Sequence, residues 1–291
     1  MAILCRRKQD NSPVVIKELF TQCMTEDEKQ TSLNEIKVLT ILRHPNIIAY
    51  FDSFTAMGIM DAESLSSSGA SSGGNGHLGD IDPNMPKQPV RKSSDRKKEI
   101  MNLFCQIGLA LNHIHSLNIL HRDLKTNNIL VSGCGRYKVL KIGDFGISKI
   151  MSTAASAETV VGTPAYISPE LCEGKPYNEK SDIWALGCVL YEMICLKKMF
   201  SAHNLPALVL RILRGTYEPI PVHVPSNLAV LVKSCVETEP EKRPFMPDII
   251  GMPFLQDALV QTIFGVGRID HPRLVQTPLD TALAAPCGTV V

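Results

Sequence analysis

The fold of this chain is most strongly indicated by HRDLKTNN, residues 121–128. An aspartate, a lysine and an asparagine lie close together in this stretch, and a strand-like run, VLKI at 139–142, follows it. That run leads directly into DFG at 144–146, and SPE comes later at 168–170. Three polar segments in this order and at this spacing are not expected by chance, so we interpret them as parts of one site.

The three segments resemble the protein-kinase signatures H-R-D-L-x-x-x-N, D-F-G and A-P-E. The resemblance implies that Asp123 accepts the proton of the attacking hydroxyl, and that Lys125 offsets negative charge on the transferring phosphoryl group. Asn128 and Asp144 would hold two Mg²⁺ ions, because hard cations prefer oxygen ligands. A lysine at position 125 suits the serine/threonine class. The implied activity is transfer of the γ-phosphoryl group of ATP to serine or threonine.

An ATP-binding lysine is expected upstream of these segments. VVIK, residues 14–17, resembles the strand whose lysine holds the α and β phosphates of ATP, which makes Lys17 the candidate. Its partner should be a glutamate on a helix, and Glu35 lies in a helical pattern. Glu26 and Glu28 come too early for this role. We therefore predict an ion pair between Lys17 and Glu35.

Several longer segments resemble the never-in-mitosis-A-related (NEK) family of serine/threonine kinases. They are VVGTPAYISPEL at 160–171, PYNEKSDIWALGC at 176–188 and NLPAL at 204–208. LCEGKPY at 171–177 points to the branch whose longer members carry a propeller of RCC1-type repeats. The family implies protein substrates and a cytoplasmic location, with the centrosome, cilium or cytoskeleton as more specific places.

The same resemblance implies roles for three residues of substrate binding and regulation. Thr163 would contact the catalytic aspartate and lysine and help to seat the substrate. Thr159 would be the phosphorylation site of the activation loop. Arg122 would pair with the phosphate on Thr159, because a phosphate adds about −1.5 to −2 charges and several hydrogen-bond acceptors.

Other residues receive structural roles from the resemblance. Asp182 would orient the backbone of the catalytic loop. Glu170 and Arg243 would form a buried ion pair in the helical lobe. A hydrophobic spine joining the two lobes would contain Leu39, Phe145 and His121.

The order of predicted elements indicates an α+β protein, a bilobal protein-kinase fold with an incomplete β-rich N-lobe and a helical C-lobe. Residues 1–54 would form the partial N-lobe and 96–255 the C-lobe, with a C-terminal tail at 256–291. Residues 55–95 would replace the usual hinge region. Serine and glycine dominate the stretch at 64–76, which buries too little apolar surface to offset the entropy of ordering, so we expect a flexible loop.

Periodicity predicts the main elements around this loop. A helix from about Thr25 to Arg43 should bury one face, and residues 47–54 resemble a strand. The apolar run at 183–196 is too short for a membrane span and predicts a buried helix. The buried face of the first helix would comprise Leu33, Ile36, Leu39 and either Ile41 or Leu42.

Two parts of the kinase pattern are missing. No glycine precedes Lys17, so the glycine-rich loop that covers the phosphates is absent, and Ala2 to Arg6 resembles the strand that follows that loop. We therefore expect the printed sequence to begin inside the N-lobe, as a truncated catalytic domain. The hinge that bonds adenine has one weak candidate, residues 57–60. A pseudokinase, an interaction module or an inactive partial product thus stays the alternative, although the complete set of catalytic residues favours an enzyme.

Composition excludes several other classes of protein. Hydrophobic residues make up 44% of the 291 residues, as in a globular protein. The 30 basic and 29 acidic residues nearly balance, which gives no support to a nucleic-acid binder. We predict no membrane insertion and no secretory signal, and the nine cysteines without a CxxC pair favour a reducing compartment. His113 and His115 point to different sides of a helix, which argues against a zinc site. The oligomeric state stays open.

Overall fold

The computed structural model describes residues 2–21, 24–54, 93–132, 138–145 and 164–266. These ranges contain two antiparallel hairpins and eight α-helices. The predicted loop at 55–95 falls outside them except for 93–95, which belong to the first turn of a helix. The candidate hinge at 57–60 and the last part of the tail, 267–291, also lie outside the described residues.

The N-terminal part is a hairpin followed by a helix. Strands β1 (Ala2–Arg6) and β2 (Pro13–Lys17) pair antiparallel, which confirms both predicted strands. Helix α1 (Glu26–Ile41) begins at a capping box, in which Thr25 Oγ1 accepts from the Glu28 amide and the Glu28 side chain accepts from the Thr25 amide. The predicted helix is therefore confirmed to within two residues at each end.

The predicted buried face of α1 is only partly right. Leu42 is 3% exposed and belongs to the core, and Ile36 and Leu39 are half-buried. Of the two alternatives at the end of the helix, the structure buries Leu42 and leaves Ile41 58% exposed, whereas Leu33 is 52% exposed, which the periodicity did not predict. The core lies beside the C-terminal end of α1, and at 1.5 Å per residue Leu33 is about 13 Å from Leu42 along the axis.

Residues 47–54 do not form the strand that their composition predicts. Ile47 makes a single parallel bridge with Ile142, and the Ile48 amide donates to Ile142 O at 2.9 Å. Among the described residues no further strand lies alongside 49–54, and a strand needs a neighbour to complete its hydrogen-bond ladder. Residues 47 and 48 therefore link the N-terminal part to β4, and the described residues 49–54 add no strand to that hairpin.

Helices dominate the C-terminal part, as predicted. Strands β3 (Ile129–Ser132) and β4 (Val139–Ile142) form the second hairpin, which follows helix α2 in the chain. The helices are α2 (Ser93–Ser116), α3 (Pro169–Cys172), α4 (Glu179–Cys195), α5 (Leu205–Leu213), α6 (Ser226–Cys235), α7 (Met246–Ile250) and α8 (Gln256–Val266).

Helix α4 forms the centre of the helical part. The apolar run that predicts it is buried over nearly its whole length, and Trp184 stacks on Phe200 with ring centroids 5.4 Å apart. Helix α8 opens the predicted tail and packs on α2, where Thr262 Oγ1 donates to Asn102 O at 3.5 Å. Within the described residues, no helix is long and apolar enough to cross a bilayer.

Candidate active site

The loop between α2 and β3 brings together the residues with predicted catalytic roles. Lys125 Nζ lies 2.7 Å from Asp123 Oδ2. Asn128 Nδ2 donates to the Asp123 carbonyl at 2.8 Å and to its carboxylate at 3.0 Å. A 3₁₀ turn at Thr126–Asn128 closes the loop, because the Asn128 amide donates to Lys125 O at 3.0 Å. The loop therefore presents a carboxylate with an ammonium group and an amide both hydrogen-bonded to it.

Asp144 joins this cluster from the end of β4. Asn128 Nδ2 also approaches the main-chain oxygen of Asp144, at 3.4 Å. The Asp144 residue is exposed and has a φ of 51°, a left-handed conformation that aspartate tolerates better than most residues. Within the described residues, the Asn128 Oδ1 atom accepts no hydrogen bond. An amide oxygen and an exposed carboxylate form the oxygen-rich donor set that suits Mg²⁺.

Asp182 on α4 supports the backbone of the same loop. Its carboxylate accepts from the amides of His121 and Arg122, at 2.9 and 3.0 Å. His115 Nε2 lies 2.9 Å from it, and the Tyr177 hydroxyl donates to it as well. Burial opposes ionisation, but these hydrogen bonds and the nearby histidines hold the pKa of Asp182 below its ordinary value. This is the geometry that an orienting role requires.

The N-terminal part contributes the predicted ion pair. Lys17 Nζ at the end of β2 lies 3.2 Å from Glu35 Oε1 on α1. The Lys17 side chain is 53% exposed and that of Glu35 is 14% exposed. An ammonium group held in place yet open to solvent can still receive a phosphate. The structure thus brings these two residues together across two elements, as the sequence predicts.

The two aromatic members of the predicted spine are in contact. The rings of His121 and Phe145 lie 4.8 Å apart, and both residues are buried. His121 Nδ1 accepts from the Asp123 amide at 3.3 Å, which requires a neutral ring nitrogen. Burial lowers the pKa of His121, in agreement with a neutral ring. Leu39 is half-buried and packs against the same core.

Glu170 and Arg243 form the predicted buried ion pair. Both guanidinium NH groups donate to the Glu170 carboxylate at 2.8 Å, and Ser181 Oγ donates to it at 2.6 Å. Burial opposes ionisation, but Arg243 and Ser181 hold the pKa of Glu170 below its ordinary value. Arg243 donates further to three main-chain carbonyls, so it ties α3 to the start of α4 and to the loop after α6.

Thr159 and Thr163 lie outside the described residues, as does the last residue of the DFG segment. The chain is described again from Pro164, where a 3₁₀ turn runs to Tyr166. Arg122, the predicted partner of a phosphate on Thr159, has its guanidinium 5.9 Å from the centre of the Tyr177 ring. Among the described residues, Arg122 makes no salt bridge.

Sequence reasoning missed several residues that support the site. Tyr177 lies five positions before Asp182, in the segment 176–188 that carries the family resemblance. Its place in that segment could have indicated a contact with Asp182. The sequence favours an ordinary helix residue over a zinc ligand at His115, and neither interpretation predicts its contact with Asp182 at 2.9 Å. Tyr166 and Glu192, which contact the catalytic loop, are far from it in sequence, and no local pattern predicts such a contact.

Comparison with known proteins agrees with this architecture. The protein kinase domain family matches residues 1–255. Serine/threonine-protein kinase Nek8 of Danio rerio is 44% identical over 286 residues, which cover 98% of this chain and 39% of Nek8. Probable serine/threonine-protein kinase nek3 of Dictyostelium discoideum is 44% identical over 264 residues, 89% of this chain and 22% of nek3.

A third relative is closer to this chain in length. Serine/threonine-protein kinase nekl-2 of Caenorhabditis elegans is 41% identical over 271 residues, which cover 92% of this chain and 74% of nekl-2. The chain thus spans well under half of the Nek8 and nek3 relatives and about three quarters of nekl-2. The paired catalytic loop, the bilobal fold and these identities lead to one conclusion: the chain belongs to the protein kinase domain family, among the Nek-type serine/threonine kinases.

Proposed function

We propose that this chain is an active serine/threonine protein kinase that transfers the γ-phosphoryl group of ATP to hydroxyl groups of protein substrates. The observation that carries the proposal is the 2.7 Å contact between Lys125 Nζ and Asp123 Oδ2. A carboxylate beside an ammonium group can accept the hydroxyl proton while the ammonium offsets charge on the phosphoryl group. Asn128 Nδ2 donates to the same carboxylate oxygen at 3.0 Å, so two side chains hold the Asp123 carboxylate before substrate arrives.

The donor atoms near this pair fit a magnesium–nucleotide complex. Asn128 Oδ1 and the Asp144 carboxylate would hold Mg²⁺, which supplies charge neutralisation on the phosphates when bound. Lys17, kept in place by Glu35, would contact the α and β phosphates. Leu130, two positions after Asn128, is 53% exposed on β3, and such an aliphatic surface beside a phosphate site suits the base of a nucleotide.

Regulation would act through Thr159. Arg122 is a cation with no salt bridge in the described residues, and its amide is anchored by Asp182 at 3.0 Å. A phosphate on Thr159 would pair with this guanidinium and order the activation loop, and Thr163 would then seat the acceptor peptide. Protein substrates are the expected partners, and a cytoplasmic site of action near the centrosome, cilium or cytoskeleton would suit a Nek-type kinase.

The proposal is tested on the purified full chain with two measurements. Calorimetry should detect binding of MgATP, and a radiolabel assay should detect transfer to a general protein acceptor such as casein. Asp144→Asn should abolish transfer, whereas Asp248→Asn, an exposed aspartate that accepts from the Phe245 amide, should not. Treatment with phosphatase, or Thr159→Ala, should lower the rate. Nucleotide binding without transfer would instead indicate a pseudokinase, and absence of both would favour an interaction module.

A further inference from the structure

Three side chains outside the roles assigned above form a continuous hydrogen-bonded chain beside the catalytic loop. Thr126 directly follows Lys125, Tyr166 ends the turn after the activation segment, and Glu192 lies near the end of α4. Thr126 Oγ1 and the Tyr166 hydroxyl oxygen are 2.8 Å apart. The Tyr166 hydroxyl donates to Glu192 Oε2. We call these three residues the clasp.

The direction of this chain follows from counting protons. A tyrosine hydroxyl has a single proton, and Tyr166 donates it to the Glu192 carboxylate, so in the contact with Thr126 the Tyr166 oxygen can only accept. The Thr126 hydroxyl also lies 3.4 Å from Glu192 Oε2 and 3.5 Å from Oε1, and the 2.8 Å contact with Tyr166 is the shorter one. Burial, together with the hydrogen bond to Glu192, raises the pKa of Tyr166 to about 12. Tyr166 therefore keeps its proton at physiological pH, and the order Thr126 to Tyr166 to Glu192 is maintained.

The clasp gives the catalytic loop a second attachment to α4. Asp182 holds the amides at the start of the loop, and Glu192 holds Thr126 both through Tyr166 and by a longer direct contact of 3.4 Å. The two acidic residues lie ten positions apart on one helix, about 15 Å along its axis. Tyr166 is 8% exposed, and Lys198 Nζ lies 5.0 Å from its ring centre. The Tyr166 side chain is therefore held by hydrogen bonds at its hydroxyl and by the packing around its buried ring.

We propose that the clasp positions the catalytic loop against the segment that receives the protein substrate, with Thr126 and Tyr166 as positioning residues. The inference rests on the proposed kinase function. Tyr166 lies three positions after Thr163, the residue expected to seat the substrate, whereas Thr126 adjoins Lys125. The groups expected to contact ATP are not members of the clasp. Loosening it should thus impair use of the acceptor peptide and leave the KM for ATP unchanged.

The kinetic test compares four variants of the full chain. Tyr166→Phe and Thr126→Val remove one hydroxyl each, and each should lower kcat/KM for an acceptor peptide about tenfold, as expected for one lost hydrogen bond in a chain that ends on a charge. Thr126→Ser keeps the hydroxyl and should restore wild-type values. Tyr191→Phe is the matched control, because Tyr191 is buried on the same helix but donates to Glu218 O at 2.9 Å. An equal loss in Tyr191→Phe, or a parallel rise in the KM for ATP, would overturn the proposal.

A second readout does not depend on activity. The Asn128 amide, which donates to Lys125 O at 3.0 Å, closes the turn around Thr126, so its hydrogen exchange reports the order of that turn. Exchange should accelerate in Tyr166→Phe and Thr126→Val, and stay at the wild-type rate in Thr126→Ser and Tyr191→Phe. If the wild type transfers no phosphate, the proposed kinase function is wrong, but the exchange rates still test whether the clasp orders the turn around Thr126. Unchanged exchange in Tyr166→Phe and Thr126→Val would refute the role of the clasp.

Discussion

At the scale of single residues, Asp182 has the densest set of interactions in the site. Its carboxylate is fully buried and receives two main-chain amides, an imidazole and a phenol. Arg122, one of the two residues whose amides it binds, has a φ of 67°, which is uncommon for a residue with a side chain. A strained conformation of this kind persists when surrounding contacts determine it, and Asp182 supplies the contact.

Replacing Asp182 should therefore cost both stability and activity. Asp182→Asn removes the charge and turns one acceptor into a donor that faces other donors. We expect the free energy of unfolding to fall by about 2–4 kcal/mol, as for a buried charged group that loses its hydrogen bonds. Chemical denaturation measures the change. Asp248→Asn, at an exposed position, should change the free energy by less than about 0.5 kcal/mol, and similar values for both variants would contradict this account.

At the scale of elements, the contact between α4 and α6 depends on a glycine. A Cβ atom at Gly187 would lie 2.7 Å from Cys235 Cβ and 2.8 Å from Val236 Cγ1. Gly108 in α2 is a contrasting case, because a Cβ there would meet only flexible side chains, the nearest being Met246 Cε at 3.4 Å. The two helical glycines therefore differ in the space around them, although helix propensity favours alanine at both.

We expect opposite effects from the same substitution at these two positions. Gly187→Ala should lower the free energy of unfolding by about 1–3 kcal/mol, because overpacking forces the helices apart. Gly108→Ala should be neutral or raise it by up to about 1 kcal/mol through helix propensity. Thermal or denaturant unfolding of both variants measures the difference. A stabilising Gly187→Ala would show that α4 and α6 can separate without cost.

The segment after α1 carries a titratable contact. His44 Nδ1 accepts from the Asn46 amide at 3.1 Å, and its ring stacks on His113 with centroids 5.4 Å apart. Burial, with smaller effects of the His113 and Lys141 charges, lowers the pKa of His44 to about 4. Because an unfolded histidine titrates near 6.5, this contribution to stability is complete above that pH. It is lost progressively as the pH falls from about 6.5 towards 4.

The corresponding measurement is the free energy of unfolding at pH 7.5 and at pH 5.0. Wild type should lose stability between these values, and His44→Gln should lose less, since glutamine cannot be protonated but can still accept from Asn46. His121, whose pKa burial also lowers, contributes a loss of the same sign in both proteins. His203→Gln, at an exposed position, is the control. If His44→Gln and wild type lose equal stability, the His44 contact is not titrating.

At the scale of the whole molecule, the two lobes meet at a buried polar joint. Asn46 Nδ2 donates to Gln106 Oε1 and to Leu140 O, both at 2.9 Å. Gln106 Oε1 also accepts from the Leu140 amide at 2.8 Å, and its Nε2 donates to Lys138 O at 3.0 Å. The joint therefore connects the segment after α1 with α2 and β4. Because β4 leads to Asp144, the joint also supports the end of the site where that carboxylate lies.

Breaking this joint should destabilise the chain as a unit. Gln106→Leu leaves the Leu140 amide and one Asn46 hydrogen without their acceptor, and we expect a loss of about 2–3 kcal/mol in the free energy of unfolding. Gln30→Leu removes an exposed amide that contacts Asn34 within α1, and it should cost less than about 0.5 kcal/mol. Denaturation curves of the two variants test this, and coincident curves would argue against a structural role for the joint.

Much of the fold could be predicted from the sequence because its signals are local. Periodicity located α1, a continuous apolar run located α4, strand-like runs located β2 and β4, and the contiguous motifs located the catalytic loop. Two predictions about local structure were wrong, the buried face at Leu33 and the strand at 47–54. In both cases the outcome depends on other parts of the fold, because Leu33 is buried only if an element packs over it, and 47–54 forms a strand only if another strand pairs with it.

By itself, the sequence determined the kinase class, most of the elements and the candidate site residues Asp123, Lys125, Asn128 and Asp144, because these are carried by residues close together in the chain. Only the tertiary structure decided which distant groups support them. The contacts of Asp182 with His115, of Gln106 with Asn46 and of Glu192 with Tyr166 each join separate elements. Such contacts form when the core packs and brings the elements together, and no local pattern encodes them.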